Sequence, residues 1–161
     1  MQHYSFVTNW RFSYPVSAVW PLIKDIARWP EWWKGVTDVK ISKEGEPDGC
    51  GKCAAITWRS ALPYSLSFEL EVTKIIEFKK IIGFTTGDLK GKGIWEFFPE
   101  ENNSSSLCFY WDVDTTISWM NTLAPVLKPV FQWNHDIVMK WGQEGLQQKL
   151  VKDFANSERP G

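Results

Sequence analysis

Hydrophobic and polar positions alternate at the start of the chain. Phe6, Thr8, Trp10 and Phe12 fall on one side; Val7, Asn9, Arg11 and Ser13 fall on the other. A period of two predicts a strand over 4–13 with one buried face. Pro15 interrupts it, and 16–25 reads as a helix that Pro21 keeps short. The bulky run Trp29-Pro30-Glu31-Trp32-Trp33 predicts a second short helix or a lid. From Val36 onward the pattern is one of strands separated by turn residues. Strands are predicted over 36–43, 52–60, 64–78, 81–86, 91–98 and 107–117, with turns at Glu46-Pro47-Asp48-Gly49, Leu62-Pro63 and Gly87-Asp88. The third of these is cleanly two-sided, Leu66, Phe68, Leu70 and Val72 against Ser67, Glu69, Glu71 and Thr73. Closely spaced strands with short connections predict an antiparallel meander.

The period then changes. Proline disfavours helix at the residue before it, so Ala124-Pro125 and Lys128-Pro129 delay the helix start to Pro129, from where one helix is predicted to about 153. Its length of about 37 Å matches the roughly 33 Å span of a ten-residue strand, so it can lie across the sheet. On a helical wheel Phe131, Val138, Trp141, Gly142, Gly145 and Leu146 share one face, while Asp136, Lys140, Gln143 and Gln147 share the other. Two glycines on the inward face lower helix propensity, and they make sense where a ring or another backbone comes close. The predicted architecture is α+β: one domain over 1–161, with two short helices after the first strand and a curved seven-stranded antiparallel sheet wrapped around a long C-terminal helix. Such a sheet leaves a hollow against the helix.

Composition sharpens that picture. The 161 residues include 11 Trp, 10 Phe and 4 Tyr, more ring surface than a core of this size needs. The rings either line a cavity or pack a solid core. A formal charge of -1 lacks the positive field that would hold a polyanion, so nucleic acid is not an expected partner. No stretch has the roughly 18 apolar residues of a membrane span, and the first residues lack the pattern of a secretory signal, so a cytoplasmic protein without stable membrane insertion is expected. The polar tail from Asn156 to Gly161 reads as frayed.

Candidate chemistry is sparse. Inward rings are expected at Phe6, Trp10, Phe12, Trp58 and Phe68, and again at Trp95, Phe97, Phe109, Trp111 and Trp141. Inward polar groups are few: Thr8, Thr115, Asn134 and His135, with Thr86 as a further candidate. Asn134 and His135 read in two ways: a pair that orients a ligand carbonyl or moves a proton, or a histidine satisfied inside the core. Asp112, Asp114, Glu69 and Glu71 alternate with apolar neighbours and are expected outward, so no carboxylate is placed to orient His135. Cys50-Gly51-Lys52-Cys53 has metal-pair spacing but no second pair, and strand follows it where a redox motif needs helix. With Cys108 the count is odd, which argues against a disulfide framework. No metal or cofactor is expected. Trp29, Trp32 and Trp33 read as a cavity gate, as a plug that docks the short helices, or as a surface patch.

Particular residues carry a family likeness. They are Pro15, Val19-Trp20, Asp25 and the Trp29–Trp33 run, then Gly87-Asp88-Leu89-Lys90-Gly91 before a strand with Trp95, and Asn134-His135-Asp136, Met139 and Gly145-Leu146 in the last helix. With the element order, they resemble the polyketide cyclase/dehydrase and lipid-transport group of the START and birch-pollen-allergen-like superfamily (SRPBCC). The resemblance implies a helix-grip fold and a small hydrophobic ligand such as a lipid, polyketide or aromatic metabolite, held between the sheet and the C-terminal helix. Trp10, Trp33, Trp58, Phe68, Trp95 and Phe97 would contact it, as would Phe109, Trp111, Asn134, Val138 and Trp141. The alternative is a cyclase/dehydrase-like enzyme with His135 and Asn134 as proton shuttle.

Overall fold

The computed structural model describes residues 2–157. Strand β1 (Gln2–Phe12) is followed by α1 (Val16–Lys24), a 3-10 turn (Ile26–Arg28) and α2 (Trp29–Trp32). Six strands come next: β2 (Val36–Lys43), β3 (Cys53–Arg59), β4 (Ser65–Ile76), β5 (Lys80–Gly87), β6 (Leu89–Glu100) and β7 (Ser104–Thr115). Helix α3 (Ser118–Ser157) ends the described chain. All strand pairs are antiparallel, in the order β1-β7-β6-β5-β4-β3-β2. Consecutive β1 and β2 therefore form opposite edges of the sheet, and α1 and α2 bridge between them.

The alternation seen in the sequence sets the faces. Tyr4, Phe6, Trp10 and Phe12 of β1 are buried, as are Leu107, Phe109, Trp111 and Val113 of β7. Register shifts between Val36 and Asp38, Ile41 and Lys43, and Val72 and Lys74 add local twist where the sheet bends. The last of these also changes the phase of β4, so that half-buried Ile75, not Lys74, follows Val72 on the inner face. Thr85 is the inward threonine of β5 and Thr86 is exposed, which corrects the expectation by one position. Thr8 is only half-buried. Glu69, Glu71 and Asp112 are exposed and Asp114 is half-buried on the outer face.

Helix α3 departs most from expectation. It is continuous for 40 residues, about 60 Å, and contains Pro125 and Pro129. Each proline removes a backbone donor, leaving the carbonyls of Asn121 and Pro125 without their helical partners. Both prolines face solvent, and tertiary anchors hold the segment in place. Met120, Ala124 and Phe131 are buried. The Asn121 carboxamide accepts from the backbone N–H of Gln2 at 2.9 Å, bonds the Thr115 hydroxyl, and donates to the Thr115 carbonyl at 3.0 Å. These contacts tie the first turn to β1 and β7. Asn156 and Ser157 are helical; residues 158–161 of the expected frayed tail lie outside the described residues.

The inward glycines of α3 meet what their position called for. A Cβ on Gly142 would lie 2.6 Å from Cε2 of Trp33, and one on Gly145 would overlap the carbonyl oxygen of Trp32. The helix is thus pressed against α2 along its glycine face.

Candidate functional site

Two cavities among the described residues bear on function. The larger has a volume of about 810 Å³. Its sheet wall is built by inner-face residues of β3 to β7, chiefly Trp58, Phe68, Val72, Trp95, Phe109 and Trp111. Gly83 and Gly93 are direct partners on β5 and β6, and both line it. With no side chains there, the middle of the concave face stays low. Trp20, Ile23, Ile26, Trp29 and Trp33 form the opposite wall. Charged lining residues come from the end of α1, the 3-10 turn and the β2–β3 loop: Lys24, Asp25, Arg28, Glu44, Glu46 and Lys52. Arg28 is engaged by Glu31 at 2.7 Å. The one buried hydroxyl on the wall belongs to Thr85, and it has no protein partner.

Helix α3 supplies no residue to this cavity. The expected placement between sheet and C-terminal helix is therefore corrected: the space lies between the sheet and the short helices. The reason is Trp33. Its indole is fully buried, stands 5.3–5.5 Å from the rings of Trp10, Trp29, Trp32 and Trp58, and donates from Nε1 to the Val138 carbonyl at 2.9 Å. It fills the space between the cavity and the helix. Trp29 is fixed in turn by donation to the Ile23 carbonyl at 3.0 Å. Of the three gate candidates, Trp29 and Trp33 line the cavity; Trp32 lines neither cavity and packs on Trp33. All three are buried, so they form no surface patch.

The smaller pocket, about 60 Å³, lies against α3 and is lined by Tyr4, Phe6, Asn134, His135 and Val138, among others. Trp58 and Trp111 line both spaces, with ring centroids 5.0 Å apart, and so form the partition. His135 stacks on Phe6 at 3.8 Å and 10°. Neither of its ring nitrogens has a hydrogen-bond partner; the nearest carboxylate, exposed Asp136, is 3.7 Å away. Burial lowers its pKa to about 3, so the ring is neutral. Both ends of the Asn134 carboxamide are engaged: Oδ1 accepts from the Ala61 N–H at 2.8 Å, and Nδ2 donates to the Tyr64 hydroxyl at 3.3 Å. It pins the β3–β4 loop to the helix.

Of the expected contact residues, Trp33, Trp58, Phe68, Trp95, Phe109 and Trp111 line the large cavity. Asn134 and Val138 line only the small pocket. Trp10 and Phe97 line neither. Trp10 sits between Trp33 and Trp95, and Phe97 packs on Trp20. Trp141 is half-buried at the surface, with the Lys34 ammonium 4.6 Å from its ring. Sequence reasoning overlooked Trp20, Ile81, Thr85 and the Gly83–Gly93 pair. Glycine at alternating positions within strands was the readable signal for the last of these. The cysteines are free thiols, and among the described residues no cluster of three or more His, Cys, Asp or Glu is present. No helix among them is long and apolar enough to cross a membrane.

The same architecture occurs in solved structures of low sequence identity. The Zhui aromatase/cyclase from Streptomyces sp. R1128 superposes with a TM-score of 0.76 at 11% identity, covering 94% of this chain and 95% of that one. A START superfamily protein from Mycobacterium smegmatis gives 0.74 at 16% identity, over 94% and 99%. The protein TTHA0849 from Thermus thermophilus gives 0.74 at 18%, over 93% and 99%. These likenesses concern the fold. No curated protein matches the chain by sequence. The family model described as "Polyketide cyclase / dehydrase and lipid transport" matches residues 5–157, and the chain therefore belongs to that family, with its START-like helix-grip fold.

Proposed function

We propose that the protein binds a small hydrophobic molecule, a lipid, polyketide or aromatic metabolite, in the large cavity. The observation that carries this reading is an 810 Å³ space whose walls are mostly indole, phenyl and aliphatic side chains. That volume lies within the usual range for small-molecule sites, which pair apolar walls with a few polar groups. Apolar surface moved from water into such a space contributes about 25 cal/mol per Å². Thr85 is the polar group available on the sheet wall, and the charged side chains stand where a ligand's polar end would meet water.

The cyclase-like alternative assigns proton transfer to His135 and Asn134. It has less support. Asn134 already holds Ala61 and Tyr64, and His135 stands behind the Trp58–Trp111 pair. A base with a pKa of about 3 is also a poor proton acceptor at neutral pH.

Titration with a neutral apolar fluorophore, N-phenyl-1-naphthylamine, tests the binding reading. Saturable uptake at one equivalent is expected, and Val72→Trp, which fills the sheet wall, should weaken it at least tenfold while the protein stays folded. Absence of uptake by the unsubstituted protein refutes the reading.

A further inference from the structure

The first half of α3 carries an apolar stripe that nothing among the described residues covers. Trp119, Leu123, Val126, Val130 and Trp133 are all exposed, Val126 most of all at 77%. Their spacing is four, three, four, three. At 100° per residue the five fall within an arc of about 80°, the narrow seam of a helix pair, not the broader face of a helix lying on a bilayer. From Ser118 to Gln132 the only charged residue is Lys128, and its ammonium lies 5.5 Å over the ring of Tyr4, on the protein's own surface. One end of the stripe is held in position: Trp119 packs edge-on against Tyr64 at 5.4 Å and Phe131 at 6.1 Å.

The order of the side chains identifies the occupant. Read in either direction the stripe is an indole, three aliphatics and an indole, centred on Val126. A two-fold axis through Val126 sets Trp119 of one copy beside Trp133 of the other, and brings the remaining aliphatics together. The same operation carries Lys128 onto the buried Ala124 position, so no like charges meet. An isologous contact requires this self-complementarity, whereas an unrelated partner does not. We propose that the protein self-associates as an antiparallel two-fold dimer through this seam. Two half-exposed indoles and three aliphatics bring on the order of 400–500 Å² per copy, about 1,000 Å² in all, which is the threshold for a specific and reversible contact. The large cavity has no α3 residue in its wall, so the dimer leaves it untouched and the inference stands apart from the ligand reading.

Sedimentation velocity from 1 to 200 µM tests it. The sedimentation coefficient should rise with concentration from the monomer value towards that of a dimer. Val126→Lys should hold it at the monomer value, with an unchanged melting temperature at 1 µM, where both proteins are monomers, since the side chain it replaces is exposed. A Val126→Cys variant should form an oxidised dimer under conditions where the unsubstituted chain does not. Three results overturn the proposal: a monomer at every concentration, a dimer unaffected by Val126→Lys, or a monomer that co-sediments with phosphatidylcholine vesicles through the stripe.

Discussion

Single atoms decide how α3 sits on the rest of the protein. A methyl group is all that separates glycine from alanine, yet at Gly145 it would overlap the Trp32 carbonyl oxygen. Helix propensity alone predicts that Gly145→Ala stabilises by about 1 kcal/mol. The close approach predicts the opposite, a net loss of about 1–3 kcal/mol as α2 is pushed away. Urea unfolding decides the sign, and a more stable alanine variant would show that α2 does not rest there. His135 offers a second test at this scale. Its folded pKa of about 3 lies below the ordinary 6.5, so the unfolded chain takes up the proton first. The neutral ring is fully compatible with folding above about pH 6.5, and stability is lost as pH falls from there towards 3, at up to about 1.4 kcal/mol per pH unit. His135→Phe keeps a ring on Phe6 and removes the titration. Unfolding of the two proteins between pH 6 and pH 4 should therefore diverge steadily, with the variant losing less. Parallel curves would mean that the imidazole is not buried as described.

Elements were legible where one physical rule dominated. The faces of β1, β4 and β7 followed from alternation alone, and Val36–Lys43 was read as a strand closed by the Glu46–Gly49 turn. The glycine face of α3 also predicted the close approach of a ring or another backbone, and the structure has both. The start of α3 escapes sequence reading because the proline rule is local, while Asn121, Met120 and Phe131 anchor the segment through contacts with distant strands. The cost of the prolines is still present. Pro129→Ala restores a donor to the Pro125 carbonyl and should raise stability by about 1–3 kcal/mol, as read from the midpoint of denaturant unfolding. An unchanged or lower midpoint would mean that the helix is already adapted to the ring. Which aromatic residues face the cavity was only partly legible. Periodicity identifies the inner face of a strand, but not which inner-face side chains meet a void and which meet each other. Trp10 and Phe97 alternate correctly and still pack against tryptophan. The position of Trp33, fixed by a hydrogen bond to a helix 105 residues away, has no local signature.

At the scale of the molecule, the short helices do the work expected of the long one. α1 and α2 span from one edge of the sheet to the other and cover its concave face, while Trp33 separates the hollow from α3. The proposed binding function thus rests on an internal space with particular tryptophans on its wall and others away from it. Six of the 11 line it: Trp20, Trp29, Trp33, Trp58, Trp95 and Trp111. The remaining five are Trp10, Trp32, Trp119, Trp133 and Trp141. The indole N–H resonances of a ¹⁵N-labelled sample, recorded during titration with N-phenyl-1-naphthylamine, report on both groups at once. Saturable shifts concentrated in the six lining indoles, with those of Trp119, Trp133 and Trp141 unmoved, are the predicted result. Shifts confined to the exposed indoles, or none at all, would contradict the account.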